Sequence, residues 1–168
     1  MSLQSILASL SLITLASAPL QGQDYNPLDP NLRTQLNATR DIIDKERRIL
    51  LASELNLTSK ERDKFWALFN EYANDLREVN DIRIDVIVRY AESYRQMTNE
   101  IAKSLVNDRF RHERELLKLR ERYLKKMRRI LPETKVARFF QVESKLAAAL
   151  DYNLASRIPV IQDPPRQR

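Results

Sequence analysis

This 168-residue chain has no cysteine and only one glycine and one histidine. The absence of cysteine excludes disulfides, thiolate metal sites and cysteine nucleophiles. The chain has a single histidine, His112, which argues against a catalytic triad and against a histidine-rich metal site. No glycine-rich loop is present to hold a phosphate group. We therefore expect no enzymatic activity, no cofactor and no metal.

Glycine and proline are also missing from the whole middle of the chain. Gly22 is the only glycine, and neither residue type occurs between Asn31 and Leu131. Tight β-hairpins usually need glycine, because glycine adopts a positive φ without the steric energy cost that other residues incur. The pattern therefore predicts an all-α protein, built as an elongated antiparallel helical hairpin or bundle.

The amino terminus has the character of an export signal. Residues 1–23 carry no charged side chain, and the segment from Leu3 to Leu20 is apolar or small. A short apolar core followed by small residues is typical of a secretory signal peptide. The cleavage site is left open between Ala16 and Gly22. An uncleaved anchor and a cytosolic chain are the alternatives, because no basic residue precedes the apolar segment.

The chain then divides into four parts. We predict a signal peptide over 1–18, a flexible linker over 19–31, a helical domain over 32–158 and a disordered tail over 159–168.

Apolar residues at helical spacing predict a first helix from Leu32 to Leu55. The segment Thr58-Ser59-Lys60-Glu61 then matches a capping box, in which a threonine and a glutamate satisfy each other's backbone N–H groups. Leu57, just before the cap, is placed to pack onto the first turns. A long helix should run from this cap to about Gln96.

Two further helices follow. Thr98 is a suitable cap for a helix that extends to Leu131, with an expected break near Asn107 and Asp108. Pro132 suits the first turn of the last helix, because its missing N–H would have no partner there.

Charge is concentrated in the third of these helices. Nine Lys or Arg and three Glu lie between Arg111 and Arg129, a net charge of +6 that equals that of the whole chain. Six of the basic residues fall within one arc of about 80° on a helical wheel. This basic row consists of Arg111, Arg114, Lys118, Arg122, Lys125 and Arg129. The opposite side is apolar. An acidic row on the preceding helix runs through Glu71, Asp75, Glu78, Asp81 and Asp85.

Two interpretations of the basic row remain open. It is either a solvated surface, paired in part with the acidic row, or a surface that attracts acidic partners over long range. Trp66 and Phe69 are further candidates for partner contact, although a core or dimer position also explains them. We expect His112 to be solvated beside the basic row, with a pH switch as the alternative.

These residues resemble the Spy/CpxP group of periplasmic stress proteins, whose repeated motif is Leu-Thr-x-x-Gln. Leu57-Thr58-Ser59-Lys60-Glu61 is similar to one copy, and Leu131-Pro132-Glu133-Thr134-Lys135 stands where the second would fall. Glu61 replaces the motif glutamine, and Pro132 replaces the threonine. The resemblance covers roughly residues 55–145 and implies a periplasmic, cradle-shaped homodimer.

The resemblance implies a chaperone-like or envelope-stress protein that binds unfolded or acidic clients without ATP. Two alternatives stay open: an accessory regulator that binds an envelope sensor domain, and a nucleic-acid-binding helical protein. The export signal argues against nucleic acid. Once the signal is cleaved, we expect no stable membrane insertion.

Overall fold

The computed structural model describes residues 31–155 and 158–161. Within this part of the chain there are four α-helices and no strand, which confirms the all-α prediction. The helices are α1 (Leu32–Glu54), α2 (Ser59–Ser93), α3 (Asn99–Met127) and α4 (Glu133–Ala155). A short 3-10 turn, Tyr94–Gln96, continues α2.

The predicted signal peptide lies outside the described residues, as do nearly all of the linker and most of the predicted tail. None of the helices in the described part of the chain combines the length and the apolar character that crossing a bilayer requires.

The helix boundaries follow from local chemistry. Asn56 has a φ of 45°, a left-handed conformation that asparagine tolerates better than most residues, and it ends α1. The Thr58 backbone N–H then donates to Glu61 Oε2 at 2.8 Å, so the predicted capping box starts α2. At the start of α3 the cap side chain is itself the acceptor, since the Thr98 hydroxyl accepts from the Ile101 N–H at 3.3 Å.

The expected break near Asn107 and Asp108 was wrong, since α3 runs without interruption through both residues. The Asp108 side chain pairs with Arg89 of α2 and with Arg111 one turn further along α3. These ion pairs hold a residue of low helix propensity inside the helix. Pro132 lies one position before α4, at its N-cap and not in the expected first turn, and its carbonyl accepts from the N–H groups of Lys135 and Val136.

The four helices form an up-down-up-down bundle. Arg33 pairs with Asp85 and Arg48 with Asn70, so α1 and α2 run in opposite directions. The pairs joining α2 to α3 are likewise antiparallel, and α2 and α3 are the most closely packed helices. The α4 helix runs alongside α2 and antiparallel to α1, with Arg138 contacting Glu54.

The largest buried cluster occupies one end of the bundle. The Tyr72 ring lies at its centre, 5.3 Å from Phe139 and 5.2 Å from Tyr123 between ring centroids. Leucines from the end of α1 and valines from the first half of α4 complete this aromatic end. The other end is built from smaller aliphatic side chains, among them Ile84, Val88 and Ala91 of α2.

A charged network is buried beside the aromatic cluster. The Tyr72 hydroxyl donates to Glu143 Oε2 at 2.9 Å, and Arg47 Nε lies 3.0 Å from Glu143 Oε1. Arg47 also pairs with Asp44, which in turn binds Arg77 at 2.8 Å. Burial would lower the pKa of Arg47, but Glu143 and Asp44 outweigh it and raise that pKa. Burial, with help from Glu143, raises the pKa of Tyr72 well above its usual range. The network joins α1, α2 and α4.

Candidate protein-binding face

The outward side of α3 carries five of the six residues of the basic row, and Arg129 lies in the turn that follows, because α3 ends at Met127 and not at the expected Leu131. All six residues of the row are exposed. Three of them form ion pairs: Arg111 with Asp108 at 3.2 Å, Lys118 with Glu115 at 2.8 Å, and Arg122 with Asp75 at 2.8 Å. Within the described residues, Arg114, Lys125 and Arg129 have no carboxylate oxygen within 4 Å.

The acidic row is divided between two neighbours. Asp75 and Glu71 pair with Arg122 and Lys126 of α3, whereas Asp81 and Asp85 pair with Arg40 and Arg33 of α1. Within the basic row, Arg122 is thus the residue that pairs with the acidic row. The cations of the basic row that have no ion-pair partner among the described residues are available for another role.

An exposed apolar row, which the sequence analysis did not identify, lies beside the basic row. Val106, Phe110 and Leu117 of α3 are 54%, 54% and 57% exposed. At 100° per residue they fall within an arc of about 40°, and the centre of the basic row lies about 100° further around the helix. The spacing of four and seven residues was the available signal. It was overlooked because a second apolar stripe on the same helix faces the core.

The structure separates the two aromatic candidates. Phe69 is 3% exposed and belongs to the core, so its proposed role in partner contact is corrected. Its ring lies between Trp66, at 5.4 Å, and Phe65, at 6.0 Å, and is inaccessible unless the bundle opens. Trp66 is half-buried, and the Arg48 guanidinium lies 4.5 Å from its ring centroid. Trp66 thus closes the edge of the aromatic end.

The two segments that resemble the repeated motif meet at that same end. Lys135 Nζ lies 2.6 Å from Glu61 Oε2 and donates to the Asn56 carbonyl at 2.7 Å. The hydrogen bond from Lys135, together with those from Thr58, lowers the pKa of Glu61 to about 2. Leu131 is buried and Leu57 packs partly buried against the core, whereas Pro132 is exposed. An ion pair therefore joins the fifth positions of the two segments.

The environment of His112 differs from the expected one. Its side chain is 2% exposed, and its Nε2 lies 3.2 Å from Asn80 Oδ1. Because His112 falls seven residues after Leu105 and seven before Leu119, it occupies the core-facing stripe of α3 instead of the solvated side. Burial, together with the positive charges of Arg83 and Arg109, lowers the pKa of His112 to about 4 against the opposing effects of Glu113 and Asp151.

Comparisons with known proteins identify no relative. No protein-family model matches the chain, and neither a curated protein nor a solved structure is similar to it at a significant level.

Proposed function

We propose that this chain is an exported, chaperone-like binding protein and not an enzyme. In this proposal, the outer side of α3 binds non-native or acidic protein segments. The observation that carries the proposal is the coexistence, on α3 and the turn that follows it, of three apolar side chains more than half exposed and three cations without an ion-pair partner among the described residues.

In this proposal the basic row and the apolar row act in different ways. The basic row attracts acidic segments over a distance of about one Debye length, roughly 8 Å at physiological ionic strength. The apolar row then provides contact area. Fully burying one side chain of this kind contributes about 1.5–3 kcal/mol, so completing the burial of three that are about half exposed contributes roughly 3 kcal/mol. That is less than the approximately 4 kcal/mol of a millimolar complex. Affinity of this size favours transient binding that strengthens when a client offers several segments.

The resemblance to the periplasmic stress proteins supports the same proposal. It adds the compartment, the periplasm, and a cradle-shaped homodimer as further parts of the hypothesis. The meeting of the two motif-like segments through Glu61 and Lys135 supports reading them as a pair.

The test is suppression of aggregation of a reduced model substrate, without ATP, at low and high salt. One variant reverses the unpaired cations: Arg114→Glu, Lys125→Glu and Arg129→Glu. A control variant with the same change in net charge carries Lys64→Glu, Arg95→Glu and Lys145→Glu, three exposed sites that are also without ion pairs among the described residues. We expect the first variant to lose most of its suppression at low salt and the control to keep it. Both should retain the helical circular dichroism of the unmodified chain.

The apolar row is tested separately with Phe110→Ser and Leu117→Ser. This double variant should lose suppression at both salt concentrations, because burial of apolar surface is not screened. Equal activity of all variants, or no suppression by the unmodified protein at equimolar concentration, would refute the proposal. Capture of one stoichiometric partner from envelope extract would instead support an accessory regulator. Salt-sensitive retention of nucleic acid would support a nucleic-acid-binding protein.

Two measurements test the proposed export and the proposed homodimer. Mass spectrometry of the mature amino terminus should find cleavage between Ala16 and Gly22, and an intact terminus in the cytosol would refute export. Sedimentation should find a dimer. A dimer that dissociates in the Phe110→Ser and Leu117→Ser variant would show that the apolar row is a subunit interface, which contradicts its assignment to clients.

A further inference from the structure

A cleft of about 400 Å³ opens between α2, α3 and α4, at the end of the bundle away from the aromatic cluster. Its lining is apolar over most of the surface, with one charged side chain from each of the three helices. The residues concerned are Arg83, Val86, Ile87, Tyr90, Arg109, His112, Asp151, Leu154 and Ile158. The volume falls within the range of about 300–1,000 Å³ that is usual for small-molecule sites.

His112, which lines the cleft, has a buried ring nitrogen that lacks a hydrogen-bond partner among the described residues. His112 Nε2 faces the amide oxygen of Asn80, which accepts a hydrogen bond, so Nε2 carries the ring proton and Nδ1 is a bare acceptor. No hydrogen-bond partner of Nδ1 exists in the described part of the chain. An orphaned buried acceptor costs about 1–3 kcal/mol, and leucine at this stripe position would avoid that cost. The imidazole is thus a group that a ligand would satisfy.

The charged groups of the cleft favour an anion. Arg83 of α2 is 18% exposed and pairs with Asp151 of α4 at 2.6 Å, and Arg109 of α3 pairs with Glu113 at 3.0 Å. The lining itself therefore holds two guanidinium groups and one carboxylate beside a neutral imidazole. Each guanidinium has five N–H donors, so both retain donors for a further acceptor after their ion pairs are made.

We propose that this cleft binds an amphiphilic organic carboxylate, with the apolar body against Val86, Ile87 and Leu154 and the carboxylate between Arg109 and His112. In the complex, one carboxylate oxygen accepts from the guanidinium. The imidazole takes one proton from solvent at Nδ1 and donates it to the second oxygen. Asn80 continues to accept from Nε2, so that both ring nitrogens are satisfied. This site is distinct from the protein-binding face on the outside of α3.

The chain carries its own reporters for a test. His112 is the sole histidine and Trp66 the sole tryptophan, and Trp66 lies at the opposite end of the bundle. The full-length protein is titrated with decanoate at submicellar concentration, and the imidazole ¹⁵N signals of His112 are recorded. We expect a saturable change of Nδ1 towards the imidazolium value, with no change in Trp66 fluorescence. 1-Decanol and decylammonium, of equal chain length, should bind at least tenfold more weakly.

Variants separate recognition from folding. Arg109→Gln, at an exposed position, should weaken decanoate binding about tenfold, whereas the matched exposed substitution Arg62→Gln should leave it unchanged. Val86→Phe, which fills the cleft, should abolish binding. The absence of a saturable His112 change, equal binding of the alcohol, or a simultaneous change at Trp66 that signals general detergent-like binding would each overturn the proposal.

Discussion

The buried network of Arg47, Tyr72 and Glu143 gives the most quantitative prediction about this bundle. Glu143→Leu removes the acceptor of the Tyr72 hydroxyl and one of the two carboxylates that pair with Arg47. Leucine suits the position geometrically, because Glu143 lies on the buried stripe of α4, four residues after Phe139 and three before Leu146.

The expected destabilisation follows from what remains unpaired. A buried hydroxyl without its acceptor costs about 1–3 kcal/mol. Breaking a buried ion pair costs about 3–5 kcal/mol. Because Asp44 still pairs with Arg47 in this variant, we expect a cost near the lower end of that range. We expect a total loss of about 4 kcal/mol. At a urea dependence of about 2 kcal/mol per M, the unfolding midpoint falls by about 2 M.

The triple variant Arg47→Met, Tyr72→Phe and Glu143→Leu is the matched comparison. It removes every member of the network at once, and Asp44 keeps its pair with Arg77. Replacing a buried ion pair by apolar groups of similar volume is often neutral or stabilising. The triple variant should therefore be at least as stable as the unmodified chain. Urea unfolding followed by circular dichroism at 222 nm measures both. A single variant as stable as the parent, or a triple variant no more stable than the single one, would refute the reasoning.

Two further predictions concern titration and the motif-like segments. The lone histidine, His112, should titrate with a pKa near 4 by NMR, against about 6.5 in urea. Because the folded value lies below the unfolded one, the unfolding free energy should fall as pH drops from 6.5 to 4, by at most about 3 kcal/mol. A native titration near 6.5 would contradict the burial of this ring. In a double-mutant cycle of Glu61→Gln and Lys135→Met, the double variant should lose less stability than the sum of the single variants. Strict additivity would show that the ion pair contributes nothing.

The starts of α2, α3 and α4 were predictable to within a residue because they depend on neighbouring residues. Thr58 and Glu61 lie three positions apart and meet in any conformation that starts a helix there. The same holds for Thr98, and for Pro132 at the start of α4. The break expected at Asn107 and Asp108 failed for the opposite reason, since Arg89, which pairs with Asp108, is remote in sequence.

The candidate sites were predictable only in part. The basic row depends on charge and on the geometry of one helix, so its exposure matched the expectation. The burial of Phe69 and His112 depends on which side of each helix its neighbours cover. A polar residue within an apolar stripe was the available signal for His112, and equally for Arg47 and Glu143.

The sequence by itself therefore determined the all-helical class, the helix starts and the position of the charge on α3, because these properties arise within a few turns of chain. Only the tertiary structure decided which polar residues became buried partners, that Glu61 meets Lys135, and that three helices leave a cleft beside His112. Those features join residues some 30 to 100 positions apart in the chain, and the packing of whole helices against one another fixes which of them meet.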